Sequence, residues 1–135
     1  MKVLPLLVLM LALGAVACDD NPVAPTAIRN VTWKLESIER VGSSTITIPN
    51  PEQYTLRLDD DGRIQVRADC NSCTGRYSLS GSSLSISTVA CTTAFCTLAS
   101  FDGNYSAALE NVRSVTITGN QMVVTGTGFT LRFRS

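Results

Sequence analysis

From Val31 onward the chain alternates apolar and polar residues, and this period of two restricts the fold more than any other feature. Tyr54, Leu56 and Leu58 alternate with Thr55 and Arg57, and Ile64, Val66 and Ala68 alternate with Gln65 and Arg67. Successive side chains of a strand point to opposite faces, so each run is a strand with one face buried. Asp59-Asp60-Asp61-Gly62 lies between the two runs, and Asp-Gly between alternating strands is a strong hairpin signal. Tyr77 and Leu79 lead through Ser80-Gly81-Ser82 to Leu84 and Ile86. Val115 and Ile117 lead through Gly119-Asn120 to Met122-Val123-Val124, and a turn at Gly126-Thr127-Gly128 leads to Phe129, Leu131 and Phe133. An early strand holds Trp33 and Leu35, and a short one spans 45–48 before Pro49-Asn50-Pro51.

One segment follows another rhythm. Leu98, Phe101, Tyr105, Ala108, Leu109 and Val112 recur at spacings of three and four, which predicts a helix of about three turns over 98–111. Gly103 weakens it by about 1 kcal/mol relative to alanine. Seven to eight short antiparallel strands with one helix predict a mainly β fold, a small curved sheet or a partly open β-barrel. A length of 135 residues suits one domain, placed at 30–135.

The beginning of the chain reads differently. Met1-Lys2 is followed by an uncharged apolar run to Ala17, then Cys18-Asp19-Asp20. A spanning helix needs roughly 20 apolar residues, so residues 1–17 are expected to be a cleavable signal peptide. Ala15-Val16-Ala17-Cys18 resembles a bacterial lipobox with Ala15 in place of the usual leucine, which makes Cys18 the expected lipidation site. Cysteine parity agrees: five cysteines are odd for an exported chain, and a lipidated Cys18 leaves four to pair. Residues 19–29 contain two prolines, acids and small residues without periodicity, as a tether between anchor and domain does. The expected location is the periplasmic side of a bacterial envelope membrane, held through lipid.

Composition narrows the chemistry. The absence of histidine excludes Ser-His-Asp and Cys-His sites and any imidazole metal ligand, so no enzyme is expected. Eleven basic residues balance eleven acidic ones without a basic block, so nucleic acid is not an expected partner. Asp59-Asp60-Asp61-Gly62 lacks a closing acid twelve positions on, where Cys70 stands, and reads as a solvated turn and not a calcium loop. Asp69, Arg67 and Arg76 form either a polar patch or ordinary strand surface. Trp33, Tyr54, Tyr77 and Phe129 line either a ligand cavity or, at strand spacing, the core.

Cys70, Cys73, Cys91 and Cys96 follow the pattern C-x2-C-x17-C-x4-C. Zinc is disfavoured by the wide second pair and by an oxidising compartment, and a redox-active C-x-x-C by the lack of a following helix. Two structural disulfides joining the loop after the central hairpin to the loop before the helix remain, each worth about 2–4 kcal/mol. A Cys70–Cys73 bridge would close a very small loop, which leaves 70–96 with 73–91, or 70–91 with 73–96. Neither metal nor cofactor is expected. Asn71 is expected to bond its own backbone and Gly75 to take a positive φ.

The stretch Cys70-Asn71-Ser72-Cys73-Thr74-Gly75-Arg76-Tyr77 resembles the GCN-x-x-x-G-x-Y signature of the META domain, or HslJ-like, family. Thr32-Trp33-Lys34-Leu35 is similar to that family's opening strand, and Leu58 to Arg63 to its D-G-R hairpin. Val89 to Cys96 resembles its L-A-S-T-R-M-A-C segment, and Phe101 to Val112 its helix. The departures are Asp69 for the glycine before the first cysteine, Cys73 for an aromatic, Cys91 for a serine, and no acid near the predicted helix start. The resemblance matches Cys70 and Cys96 to the family's own cysteines, which implies bridges 70–96 and 73–91. It further implies a small envelope domain, often a lipoprotein, with no catalytic residue to carry over. The functional expectation is a non-catalytic envelope protein acting in stress tolerance or on an envelope protein partner. The alternatives are a small apolar ligand in a half-open barrel, or inhibition of a hydrolase.

Overall fold

A computed structural model describes residues 27–135. The expected signal peptide, Cys18 and most of the expected tether lie outside the described residues. Nine strands form one antiparallel sheet: β1 (Thr32–Arg40), β2 (Ile46–Thr47), β3 (Tyr54–Leu58), β4 (Arg63–Ala68), β5 (Asn71–Ser80), β6 (Ser83–Cys91), β7 (Val112–Thr118), β8 (Gln121–Gly126) and β9 (Phe129–Arg134). Among the described residues one α-helix, α1 (Asp102–Leu109), lies between β6 and β7, and a short 3-10 turn (Pro51–Gln53) precedes β3. β1 pairs with β3 at its start and with β9 along the rest of its length, so eight strands close into a barrel. β2 adds to β1 beside β3.

The alternation has its expected consequence. β3 and β4 bury Tyr54, Leu56, Leu58, Ile64, Val66 and Ala68 and turn Thr55, Arg57, Gln65 and Arg67 outward. Gly62 turns the hairpin between them at φ +85°, and the Asp61 carboxylate accepts from the Arg63 amide at 3.0 Å. The interior is filled: Trp33, Tyr54, Tyr105 and Phe133 are among its largest fully buried side chains. Tyr105 of α1 stands between Tyr54 and Phe133, with ring centroids 6.2 Å from each, so the helix helps to pack the barrel core. Trp33 donates its indole N–H to the Ile28 carbonyl at 3.1 Å, fixing the chain's approach to β1.

Three expectations change. The helix is shorter than 98–111, beginning at Asp102, and Leu98 is 96% exposed. Tethering of the preceding loop holds Leu98 off the core although its spacing continues the helical face. Asp102, the first helical residue, therefore supplies an acid at the helix start that the longer helix lacked. Cys73 and Cys91 lie not in loops but directly opposite one another in β5 and β6. β5 reaches back to Asn71 because Asn71, Cys73 and Gly75 alternate inward, small or polar side chains that do not register as an apolar face.

Candidate functional site

At the end of the barrel where β4 turns into β5, two bridges and one amide fix an exposed loop. Cys70 is bonded to Cys96, with Cα atoms 5.5 Å apart, and Cys73 to Cys91, with Cα atoms 4.1 Å apart. This is the pairing implied by the resemblance. The first bridge pins the loop between β6 and α1; the second joins facing strands.

Asn71 lies between them and is 7% exposed, the one buried polar side chain among the described residues. Its Oδ1 accepts from the Thr92 hydroxyl at 2.9 Å and from the Ala94 amide at 2.8 Å. Its Nδ2 donates to the Ala94 carbonyl at 2.9 Å and to the Asp102 carboxylate at 3.1 Å. Two acceptor and two donor sites are thus filled, all that an amide offers. Asn71 therefore does not turn its own backbone, as its sequence position implied; it holds a loop more than twenty residues downstream and the first residue of α1. Gly75 is also corrected: its φ lies outside the positive region, and it sits at the register shift between β5 and β6.

Other bonds complete the loop. The Thr92 amide donates to the Ser72 carbonyl at 2.9 Å, and the Thr92 hydroxyl accepts from the Ser72 amide at 3.0 Å. The Phe101 amide donates to the Tyr54 hydroxyl at 3.1 Å. On this fixed backbone Phe95 is 80% exposed and Leu98 96% exposed, on either side of Cys96. Scattered exposed apolar residues are ordinary on a protein surface. Here two large ones stand three residues apart on a pinned loop, an arrangement that gives contact area with little ordering cost.

Beside the loop runs a shallow groove of about 510 Å³ on the outer face of β3, β4 and β5, lined by Arg57, Gln65, Arg67, Cys70 and Thr74. Arg63 and Arg76 face one another across β4 and β5 further along. The Gln65 amide and the Arg57 guanidinium hold the Asp59 carboxyl below its usual range. Arg67 donates to the Asp69 carbonyl at 3.2 Å, so Arg67, Arg76 and Asp69 belong to this polar face. Among the residues weighed for a cavity, Trp33 and Tyr54 are core, while Tyr77 and Phe129 are partly buried against it. Among the described residues no cluster of three or more acids and cysteines is placed to hold a metal ion.

The sequence reading singled out Cys70, Cys73, Cys91, Cys96 and Asn71, and the fold brings them together; Trp33 and Gly75 lie apart from the loop. It missed Thr92, Ala94 and Asp102, because their roles come from contacts with Asn71 across the fold. The resemblance to an A-C segment ending at Cys96 was the available signal.

A family model described as META domain matches residues 26–135. A solved protein from Burkholderia xenovorans is similar at 26% identity and a TM-score of 0.67, over 84% of this chain and 87% of that one. A DUF4847 family protein from Bacteroides vulgatus shares the fold at 11% identity and a TM-score of 0.61, over 81% of this chain and 94% of that one. A search of curated proteins returned no match.

Proposed function

Since this chain belongs to the META domain family, we propose that it is an exported, lipid-anchored protein of the bacterial envelope that acts without catalysis, by docking the 92–98 loop onto another envelope protein. The observation that carries this reading is the pair Phe95 and Leu98, exposed on a backbone fixed by Cys70–Cys96 and by Asn71. Disulfides belong to oxidising compartments, which agrees with export through residues 1–17. Among the described residues no helix is long and apolar enough to cross a membrane. The lipobox-like Ala15-Val16-Ala17-Cys18 is what supports attachment through Cys18.

Polarity along the barrel supports the orientation. The chain enters beside the β3–β4 hairpin, where Arg29 bridges Leu58, whereas Asn71 pairs with Ala68 at the other end of those strands. An anchor preceding residue 27 thus leads to one end, and the loop projects from the other. Binding of an apolar ligand inside the barrel finds no support, because core side chains fill the interior. Inhibition of a hydrolase is the second reading, favoured by the same projecting loop; failure to inhibit a panel of cell-wall hydrolases removes it.

The test replaces Phe95 and Leu98 together by serine in the exported protein, with Thr116→Ser on exposed β7 surface as control. A specific envelope protein cross-linked to the wild type and to the control, and lost with the double variant, is the expected outcome. An unchanged cross-linking pattern refutes docking by this loop.

A further inference from the structure

The outward residues of β1 from Thr32 to Lys34, of β3 and β4, and of β5 as far as Arg76 include the cations Lys34, Arg57, Arg63, Arg67 and Arg76. The other outward positions there are threonine, serine or glutamine, and none is acidic. Strand register joins them into one face: Lys34 stands opposite Thr55, which faces Arg67, and Arg57 faces Gln65. Arg63 and Arg76 stand directly opposite one another, a placement of like charges that destabilises a sheet.

The acids of this region stand at its margins, Asp59, Asp60 and Asp61 in the turn between β3 and β4, and Asp69 between β4 and β5. Asp59 pairs with Arg57 at 2.8 Å, Asp61 stands 3.6 Å from Arg63, and beyond Lys34 the Glu36 carboxylate is taken by Arg134. Among the described residues no ion pair takes up Lys34, Arg67 or Arg76. The whole chain carries eleven basic and eleven acidic residues, so its net charge draws it to no surface, whereas the uneven placement of its cations does.

The chain enters the domain at the edge of this face. Arg57 donates to the Asn30 carbonyl at 3.1 Å, and Thr32 stands opposite Arg57. The segment from Cys18 to Ala27 spans at most about 30 Å, so a membrane that holds Cys18 lies within that reach of the face. Guanidinium groups match phosphate oxygens in a two-bonded fork, and anionic phospholipids present phosphates at high density.

We propose that this face lies against an anionic membrane surface, with Lys34, Arg67 and Arg76 on phospholipid phosphates. A phosphate between Arg63 and Arg76 offsets the repulsion of that pair. The nearness of a membrane rests on the proposed attachment at Cys18; the charge complementarity does not.

The test uses the full chain, exported and carrying Cys18→Ser so that lipid does not hold it, sedimented with phosphatidylcholine vesicles containing about one-third phosphatidylglycerol. Binding to these and not to phosphatidylcholine alone is expected, with loss of binding as salt rises from about 0.05 M to about 0.5 M. Arg67→Gln with Arg76→Gln is expected to weaken it at least about tenfold, since each cation at an anionic surface contributes about fivefold in affinity. Arg67→Lys with Arg76→Lys keeps the charge and retains binding, which separates lost charge from a misfolded barrel. Arg113→Gln, at an exposed position of β7, leaves binding unchanged, as does Phe95→Ser with Leu98→Ser. No binding to the anionic vesicles, equal binding to neutral ones, or indifference to the glutamines overturns the proposal. The mass of the membrane-extracted protein reads attachment at Cys18 separately. An unlipidated chain whose face binds anionic vesicles refutes the anchor alone, and a lipidated chain whose face does not bind refutes the face alone.

Discussion

Replacing Asn71 by alanine removes one side chain that fixes the whole 92–102 segment. Two acceptor and two donor bonds are lost, one of the latter to the Asp102 carboxylate. Neutral bonds contribute about 0.5–1.5 kcal/mol net and a bond to a charged group about 1.5–3 kcal/mol. Their sum overstates the cost, because Thr92 and Ala94 are exposed and water reaches their freed groups. The expected loss is about 2–3 kcal/mol, measured by urea unfolding with both bridges intact. Asn71→Asp is expected to cost more at neutral pH: it keeps an acceptor for Ala94 N–H but sets a second carboxylate against Asp102 and the Ala94 carbonyl. Acidification to about pH 4 recovers part of that loss, since a proton on the introduced carboxyl restores a donor. Hydrogen exchange of the Ala94 amide localises the effect and is expected to accelerate in both variants. A loss under about 0.5 kcal/mol, with Ala94 exchange unchanged, refutes the role given to Asn71.

Further outcomes follow from single residues. The Tyr105 hydroxyl is buried with no hydrogen-bond partner among the described residues, so Tyr105→Phe is expected to leave stability unchanged or raise it by about 1 kcal/mol in thermal unfolding. Burial pushes the Tyr105 phenol well above its ordinary value of 10.0; stability from its neutral form is complete below that pH and lost above it, as the unfolded chain ionises. Tyr105→Phe should therefore flatten the alkaline limb of a pH–stability profile, and an unchanged limb counts against the burial argument. Asp69 has φ +59°, in the left-handed region, so Asp69→Gly is expected to be more stable than Asp69→Ala by about 1 kcal/mol. Equal chemical-denaturation midpoints would contradict that. Removing either bridge as an alanine pair, across separations of 26 and 18 residues, is expected to cost about 3 kcal/mol by equilibrium unfolding.

The strands with strong alternation were legible because burial there is apolar: β3, β4 and β9 lie where Tyr54 to Ala68 and Phe129 to Phe133 place them. The start of β5 was not, because its inward face is Asn71, Cys73 and Gly75. Leu98 and Phe101 extend a helical period that the chain does not use, since a disulfide at Cys96 and the Asn71 bonds to Ala94 oppose it. Closure of β1 on β9 joins the two ends of the domain, and no local pattern encodes so distant a pairing. The cysteines of the candidate site were visible as a spacing, whereas the hub role of Asn71 depends on where the 92–102 segment is placed.

Export of the doubly bridged barrel and its attachment to a membrane through Cys18 are proposals that one measurement reads together. The most direct measurement is the intact mass of membrane-extracted protein, before and after reduction. The expected mass is that of a chain beginning at Cys18 with a diacyl or triacyl increment, gaining two hydrogens for each of the two bridges on reduction. An unmodified mass beginning at Cys18, a chain retaining residues 1–17, or no gain on reduction would contradict it.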